Sequence, residues 1–136
     1  MKFIDTSGRV HNKSIRPDEY PMRETSKSQG QKKLGQFLLD KFPSCAILEE
    51  YPCWGDNLSL DFFIPSMKMA FEFNGAQHDE FNQHFHGDRM GFANSQKRDV
   101  RKARWCSINN IKLVVIWDRD FENIGNIIRE QLYGTD

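Results

Sequence analysis

Several common signatures are missing from this chain. No apolar run approaches the length that a membrane crossing needs, which excludes a spanning helix within these residues. The opening stretch, MKFIDTSGRVHNK, lacks the apolar core of a secretory signal, so cytoplasmic residence is the expectation. Cysteine is scarce: Cys45, Cys53 and Cys106 are the three, an odd number with no CxxC pair. That excludes a disulfide framework and reads as reduced, mostly buried thiols. A zinc ion shared by Cys53 or Cys106 with His84 and His86 fits no standard ligand spacing. Net charge is absent too, with 19 basic against 19 acidic residues, so the global balance does not advertise a polyanionic partner. There are no internal repeats and no low-complexity linker.

What is present is a chain of 136 residues, long enough for one real core, with eleven Phe to help fill it. Its charge is segregated. The segment up to Lys33 is mainly basic, and a second basic cluster, QKRDVRKAR, carries Lys97, Arg98, Arg101, Lys102 and Arg104 around Asp99. A neutral protein can present a basic face in this way, or simply two solvated surfaces. Residues 1–25 show no clear period and read as an irregular basic arm; residues 26–136 read as one domain.

Within that domain, Ser28 to Gln31 matches a capping box, and Leu34, Phe37, Leu38 and Phe42 follow at helical spacing up to Pro43. Three strands are expected over 45–51, 58–64 and 69–74. In the second, Leu58, Leu60, Phe62 and Ile64 share a face by alternation; in the third, Met69, Phe71 and Phe73 share one face, and Ala70, Glu72 and Asn74 the other. A polar stretch from Gly75 to Gly91 reads as a long loop. A helix follows to about Asn109, with Phe92, Gln96, Asp99, Ala103 and Cys106 in one row. IKLVVIW (111–117) reads as a buried strand, and a last helix is expected from Asp120. The order is α-β-β-β-α-β-α.

The chemistry concentrates in the hairpin from Leu58 to His78. A turn at Pro65–Lys68 pairs Ile64 with Met69 and sets Asp61 opposite Glu72. Facing residues in an antiparallel pair stand about 5 Å apart at Cβ, and like charges there repel. A divalent cation removes the conflict, and oxygen ligands suit Mg²⁺. A register slip, or a lysine that neutralises the pair, would remove it equally well. His78 lies four residues beyond the strand. Asp99, on the inward row of its helix, needs a partner. His78 is one candidate, which would set the tautomer of a general base, and a neighbouring Arg is the other.

Taken together, LSLDFFIP, FEFNGAQH, KRDVRKARWCSINNIKLVVIW and the helix before them resemble the PD-(D/E)XK nuclease superfamily. More narrowly they resemble the very-short-patch-repair-like nucleases, including phage homing endonucleases of the EDxHD type. The resemblance runs from about Ser28 to Asp118. It implies a restriction-endonuclease-like core, an α/β fold with a mixed central sheet flanked by helices. It also implies a Mg²⁺-dependent endonuclease, with Mn²⁺ as a substitute ion, acting on double-stranded DNA in a phage-infected cell. Asp61 matches the strand aspartate that binds metal, with Glu72 as a second acid; His78 matches the presumed base and Asp99 the acid that orients it. Gln31 falls where the family has a glutamate, and Asn74 where the superfamily has a lysine, which are two departures. Asn74, Gln77, Lys97, Arg98, Arg101 and Lys102 are the expected DNA contacts. A homing role with a cut in both strands favours a homodimer. A nickase or junction-resolving nuclease, and a catalytically inactive DNA-binding module, are the alternatives.

Overall fold

The computed structural model describes residues 1–22, 28–75 and 89–134, and of residues 89–95 the backbone alone. Its first element corrects the expectation of an irregular arm. Lys2–Ile4 (β1) and Val10–Asn12 (β2) pair as an antiparallel hairpin. Asp5 organises the turn between them: one carboxylate oxygen accepts from the backbone amides of Ser7 at 2.9 Å and Arg9 at 3.0 Å. The other lies 2.8 Å from His11 Nε2. The hairpin is docked into the body of the protein, because Phe3 is fully buried and stacks on Trp105. Asn109 pins it, accepting from the Ile4 amide at 2.7 Å and donating to the Ile4 carbonyl at 2.9 Å.

Helix α1 (Gln29–Lys41) starts where the capping signal places it. The Ser28 hydroxyl accepts from the Gln31 amide at 3.1 Å, satisfying one of the first-turn donors. Strands β3 (Leu48–Cys53), β4 (Leu58–Ile64) and β5 (Met69–Asn74) follow, then α2 (Arg89–Ile108), β6 (Lys112–Trp117) and α3 (Ile124–Tyr133). β3 begins later than expected and continues through Pro52. The proline is tolerated because β3 is the edge of a four-stranded sheet ordered β3-β4-β5-β6. β3, β4 and β5 are antiparallel, and β6 joins β5 in parallel after the α2 crossover. The last helix starts three residues later than expected, with Asn123 rather than Asp120 at its N-cap. Asp120 instead accepts from the Trp117 amide at 2.9 Å, within a 3₁₀ turn over Asp118–Asn123.

The expected hairpin register is observed at Ile64–Met69, Phe63–Ala70 and Phe62–Phe71. A 3₁₀ turn at Pro65–Met67 closes it, and Lys68 takes the left-handed conformation with φ 51°. The sheet is covered on both faces. Leu34 and Leu38 of α1 and Ile124 and Ile128 of α3 pack with Phe62, Ile64, Phe71, Val114 and Ile116. Trp105 and Cys106 of α2 pack with Phe3, Leu48, Tyr51, Leu60, Phe63 and Ala70.

Strict alternation in β4 does not hold. Leu60 packs on the α2 side, whereas Phe62 and Ile64 pack on the α1 side. β3 does the same, since Leu48 and Tyr51, three residues apart, join one cluster. The break falls at Glu50, which has φ 55°, and Asp61 opposite it. Glu49 pairs with Phe62 and Tyr51 with Leu60, but no ladder pair joins Glu50 and Asp61 between them. The pleat is therefore interrupted where two acids meet.

Candidate active site

The interruption frees main-chain groups that an unbroken ladder would use. The Asp61 amide donates to a carboxylate oxygen of Glu72. The Phe73 amide donates to Asp61 Oδ2 at 2.9 Å. Asp61 and Glu72 are thus neighbours across β4 and β5, as their register predicts, and are held by backbone donors as well as by sequence position. Glu72 is 8% exposed, so its charge must be answered from within the protein. Lys102 of α2 supplies that answer, with Nζ 2.7 Å from Glu72 Oε1. The lysine that could neutralise the pair therefore exists, and it comes from a helix.

These contacts set the electrostatics. Burial, then the charge of Glu72, pushes the Asp61 carboxyl up to about 7; the Phe73 amide and Lys102 oppose that rise, and Glu50 adds to it. Glu72 is pushed up by burial, against which Lys102 pulls. Lys102 loses solvation, but the Glu72 carboxylate outweighs that loss and raises it. Lys102 serves Glu72 directly and Asp61 only at second hand. Both carboxyls stay raised, so one lysine leaves the pair short of positive charge.

A third acid joins the row, and reading the chain from its hairpin alone misses it. Glu50 lies across from Asp61 on β3. Its carboxylate accepts from Ser59 Oγ at 2.8 Å and from Gln31 Nε2 at 3.3 Å. Gln31 Nε2 also donates to Glu49 at 2.9 Å. The Gln31 side chain thus does not close a capping box. It is 4% exposed and spans two glutamates beside the row. Extending the sequence register from β4–β5 to β3–β4 would have found Glu50, since Phe62 and Leu60 flank Asp61 as Glu49 and Tyr51 flank Glu50.

Asp61 and Glu72 open onto a cavity of about 940 Å³ whose walls include Trp54, Asn74, Arg98, Asp99 and Lys102. Five of the expected residues, Asp61, Glu72, Asn74, Asp99 and Arg98, therefore meet around one space, and Lys102 meets them there. Lys102 was expected on the DNA-facing surface; its side chain is only 19% exposed and lies at the floor. The expected helix row also shifts: Ala103 is exposed, and Lys102, Trp105, Cys106 and Asn109 turn inward. Arg101 donates to the Asp56 carbonyl at 2.9 Å, and Lys97 is exposed. Gln77, His78, His84 and His86 lie outside the described residues, and so does any pairing of His78 with Asp99.

Among the described residues, no three His, Cys, Asp or Glu side chains converge as a ready-made metal group. The donor chemistry nevertheless suits a hard cation. Asp61 and Glu72 offer carboxylate oxygens side by side, and Asp61 sits where a positive charge is wanted. Mg²⁺ asks little more of a protein, because it keeps waters and takes substrate phosphate as its other ligands. Zinc favours nitrogen or sulfur donors, and among the described lining residues only Cys53, a buried thiol, is of that kind.

No family model and no solved structure matches the chain. The chain is similar to uncharacterized protein 307L of Invertebrate iridescent virus 6, with 43% identity over 60 residues, 44% of this chain and 30% of the relative. It is also similar to uncharacterized protein 033L of Invertebrate iridescent virus 3, with 38% identity over 65 residues, 48% of this chain and 34% of the relative. Uncharacterized protein 094L of Frog virus 3 is 36% identical over 66 residues, 48% of this chain and 43% of the relative. The matches thus span less than half of each of these viral proteins.

Proposed function

We propose that this chain is a Mg²⁺-dependent DNA endonuclease with a restriction-endonuclease-like core. The observation that carries the reading is the pairing of half-buried Asp61 with buried Glu72, with Lys102, at the floor of an open cavity. The mixed four-stranded sheet between helices supports it, since the acids stand on the central hairpin. Asp61, with Glu72, would hold the ion. When bound there, Mg²⁺ or Mn²⁺ would polarise the scissile phosphate.

The chain's own residues have defined tasks in this reading. Asp61 Oδ2 is fixed by the Phe73 amide, which aims the carboxylate into the cavity. Lys102 places an ammonium beside Glu72, where the hairpin itself offers only Asn74. That charge would meet a phosphate oxygen as the substrate enters. His78 remains our proposed base, with Asp99 on the cavity wall as the acid that orients it. Arg98 lines the same cavity and, with Lys97 on α2, would hold the flanking backbone. Such contacts position DNA without reading its sequence. Homing, with a symmetric pair of chains cutting both strands, is the biology we favour, and the viral relatives suit a virus-encoded protein.

A second reading has its own observation. Gln31 donates to Glu49 and Glu50 where an acid would add a ligand, and Lys102 already occupies one oxygen of Glu72. A DNA-binding module without catalysis is consistent with both. Incubation of supercoiled plasmid with and without Mg²⁺ separates the readings. Linear product is expected, nicked circles alone would indicate a strand-specific nickase, and binding without cleavage would favour the inactive module. Asp61→Asn should abolish cleavage in either strand.

A further inference from the structure

A second cavity, of about 240 Å³, opens beside Trp54, with Asn12, Lys13, Ser14, Arg16 and Tyr20 in its lining and Glu19 on it as the one acid. Trp54 also lines the cavity above Asp61 and Glu72, so one residue borders both spaces. The indole is held firmly. Nε1 donates to the Tyr51 hydroxyl at 3.1 Å, and the Trp54 and Tyr51 rings meet edge-on at 6.1 Å. The Trp54 carbonyl accepts from Trp105 Nε1 at 3.1 Å. Lys13 Nζ lies 4.4 Å from the indole centroid, over its face. Arg16 is 3.4 Å from Glu19, and both side chains are at least half exposed. An ion pair of that kind is weak in water, so a phosphate could replace the carboxylate. None of these groups has a task at the carboxylate floor.

We propose that a bound nucleic-acid strand runs from the carboxylate-floored cavity past Trp54 into this second one. Lys13 and Arg16 take flanking phosphates, and the indole packs against the sugar or base between them. The identity of the ligand rests on the nuclease reading; the path does not follow from it. The chemistry of the second cavity is that of a strand-binding groove. It combines cations for the backbone with a rigid aromatic surface for whatever lies between phosphates. The path also gives the docked N-terminal segment a use, since the segment that follows β2 forms this wall.

The test is anisotropy of a fluorescein-labelled DNA duplex in EDTA, over a series of salt concentrations. Lys13→Ala with Arg16→Ala should weaken binding at least about tenfold at low salt. The slope of log affinity against log salt should become shallower by about 0.9 for each phosphate that is no longer neutralised. An unchanged melting temperature checks the fold. Wild-type affinity and slope in the double variant would overturn the path. So would weaker binding with an unchanged slope, which would mean that packing alone had suffered. Neither result touches the nuclease reading if the wild type still cleaves plasmid. A wild type that binds duplex but cleaves nothing removes the nuclease reading and leaves the slope to decide the path. A wild type that neither binds nor cleaves removes both.

Discussion

Asp61 carries an ionisation problem that its neighbours only half solve. Its carboxyl is raised from 3.8 to about 7, first by burial and then by Glu72. A raised acid stabilises the fold in its protonated form. That contribution is complete below the unfolded value and is lost as pH rises through about 7. The metal-free protein should therefore lose stability between about pH 4 and pH 8. Asp61→Asn removes this titration while keeping an oxygen for the Phe73 amide. At about pH 8 without metal it should be more stable than wild type by roughly 1–3 kcal/mol, and the two should converge near pH 4. Denaturant melts across that range check the sign. Mg²⁺ should raise the wild-type melting temperature and leave the Asn variant unmoved. Gln31→Glu tests the neighbouring position. Without metal the extra charge beside Glu49 and Glu50 should cost about 1–3 kcal/mol. With Mg²⁺ that cost should shrink and cleavage should rise; a variant that is weaker in stability and no more active would leave Gln31 a structural residue.

The break in the pleat at Glu50 and Asp61 is a property of two strands together, and this explains what could be read from the sequence. The hairpin turn and register followed from Pro65, Met69 and the alternation of Phe71 and Phe73, because those signals are local. Glu50 was not legible from the β4–β5 hairpin alone. Its left-handed backbone and its place opposite Asp61 depend on how β3 pairs with β4, which the local pattern of β3 does not show. Lys102 was misplaced for a related reason. A lysine in a basic helix reads as surface, and only a buried Glu72 opposite it shows otherwise. The hairpin of β1 and β2 was missed because its three-residue strands are too short to show a period. Its attachment is testable at the same scale. Asn109→Ala removes the bonds to Ile4 and the one its side chain donates to the Trp105 carbonyl at 2.8 Å. The destabilisation should be about 2–3 kcal/mol. Hydrogen exchange should show the amides of β1 and β2 opening first; a uniform fall in protection would mean that Asn109 supports α2 alone.

At the scale of the whole molecule, the sheet is the shared wall of both packed layers. Phe62 and Phe71 fill the α1 side while Phe63 and Ala70 fill the α2 side of the same two strands. Neither layer keeps its floor if the other melts, so unfolding should be cooperative. Trp105 sits fully buried in the α2 layer, so its fluorescence reports that layer, while far-ultraviolet circular dichroism reports the helices of both. Fluorescence and far-ultraviolet circular dichroism should therefore trace one coincident transition in urea. Separate midpoints would show that the layers come apart in turn. The cysteines supply a clock for the same event. Cys45 is partly exposed, whereas Cys53 and Cys106 are buried in the α2 layer as free thiols. Burial pushes Cys106 up to about 12 and Cys53 higher still. Almost no thiolate forms on either in the native state, and the thiolate is the species that alkylating reagents attack. One label per molecule should thus go on quickly, at Cys45. The next two should wait for the wall behind Asp61 and Glu72 to open, so that mass spectrometry can count how often the carboxylate floor comes apart.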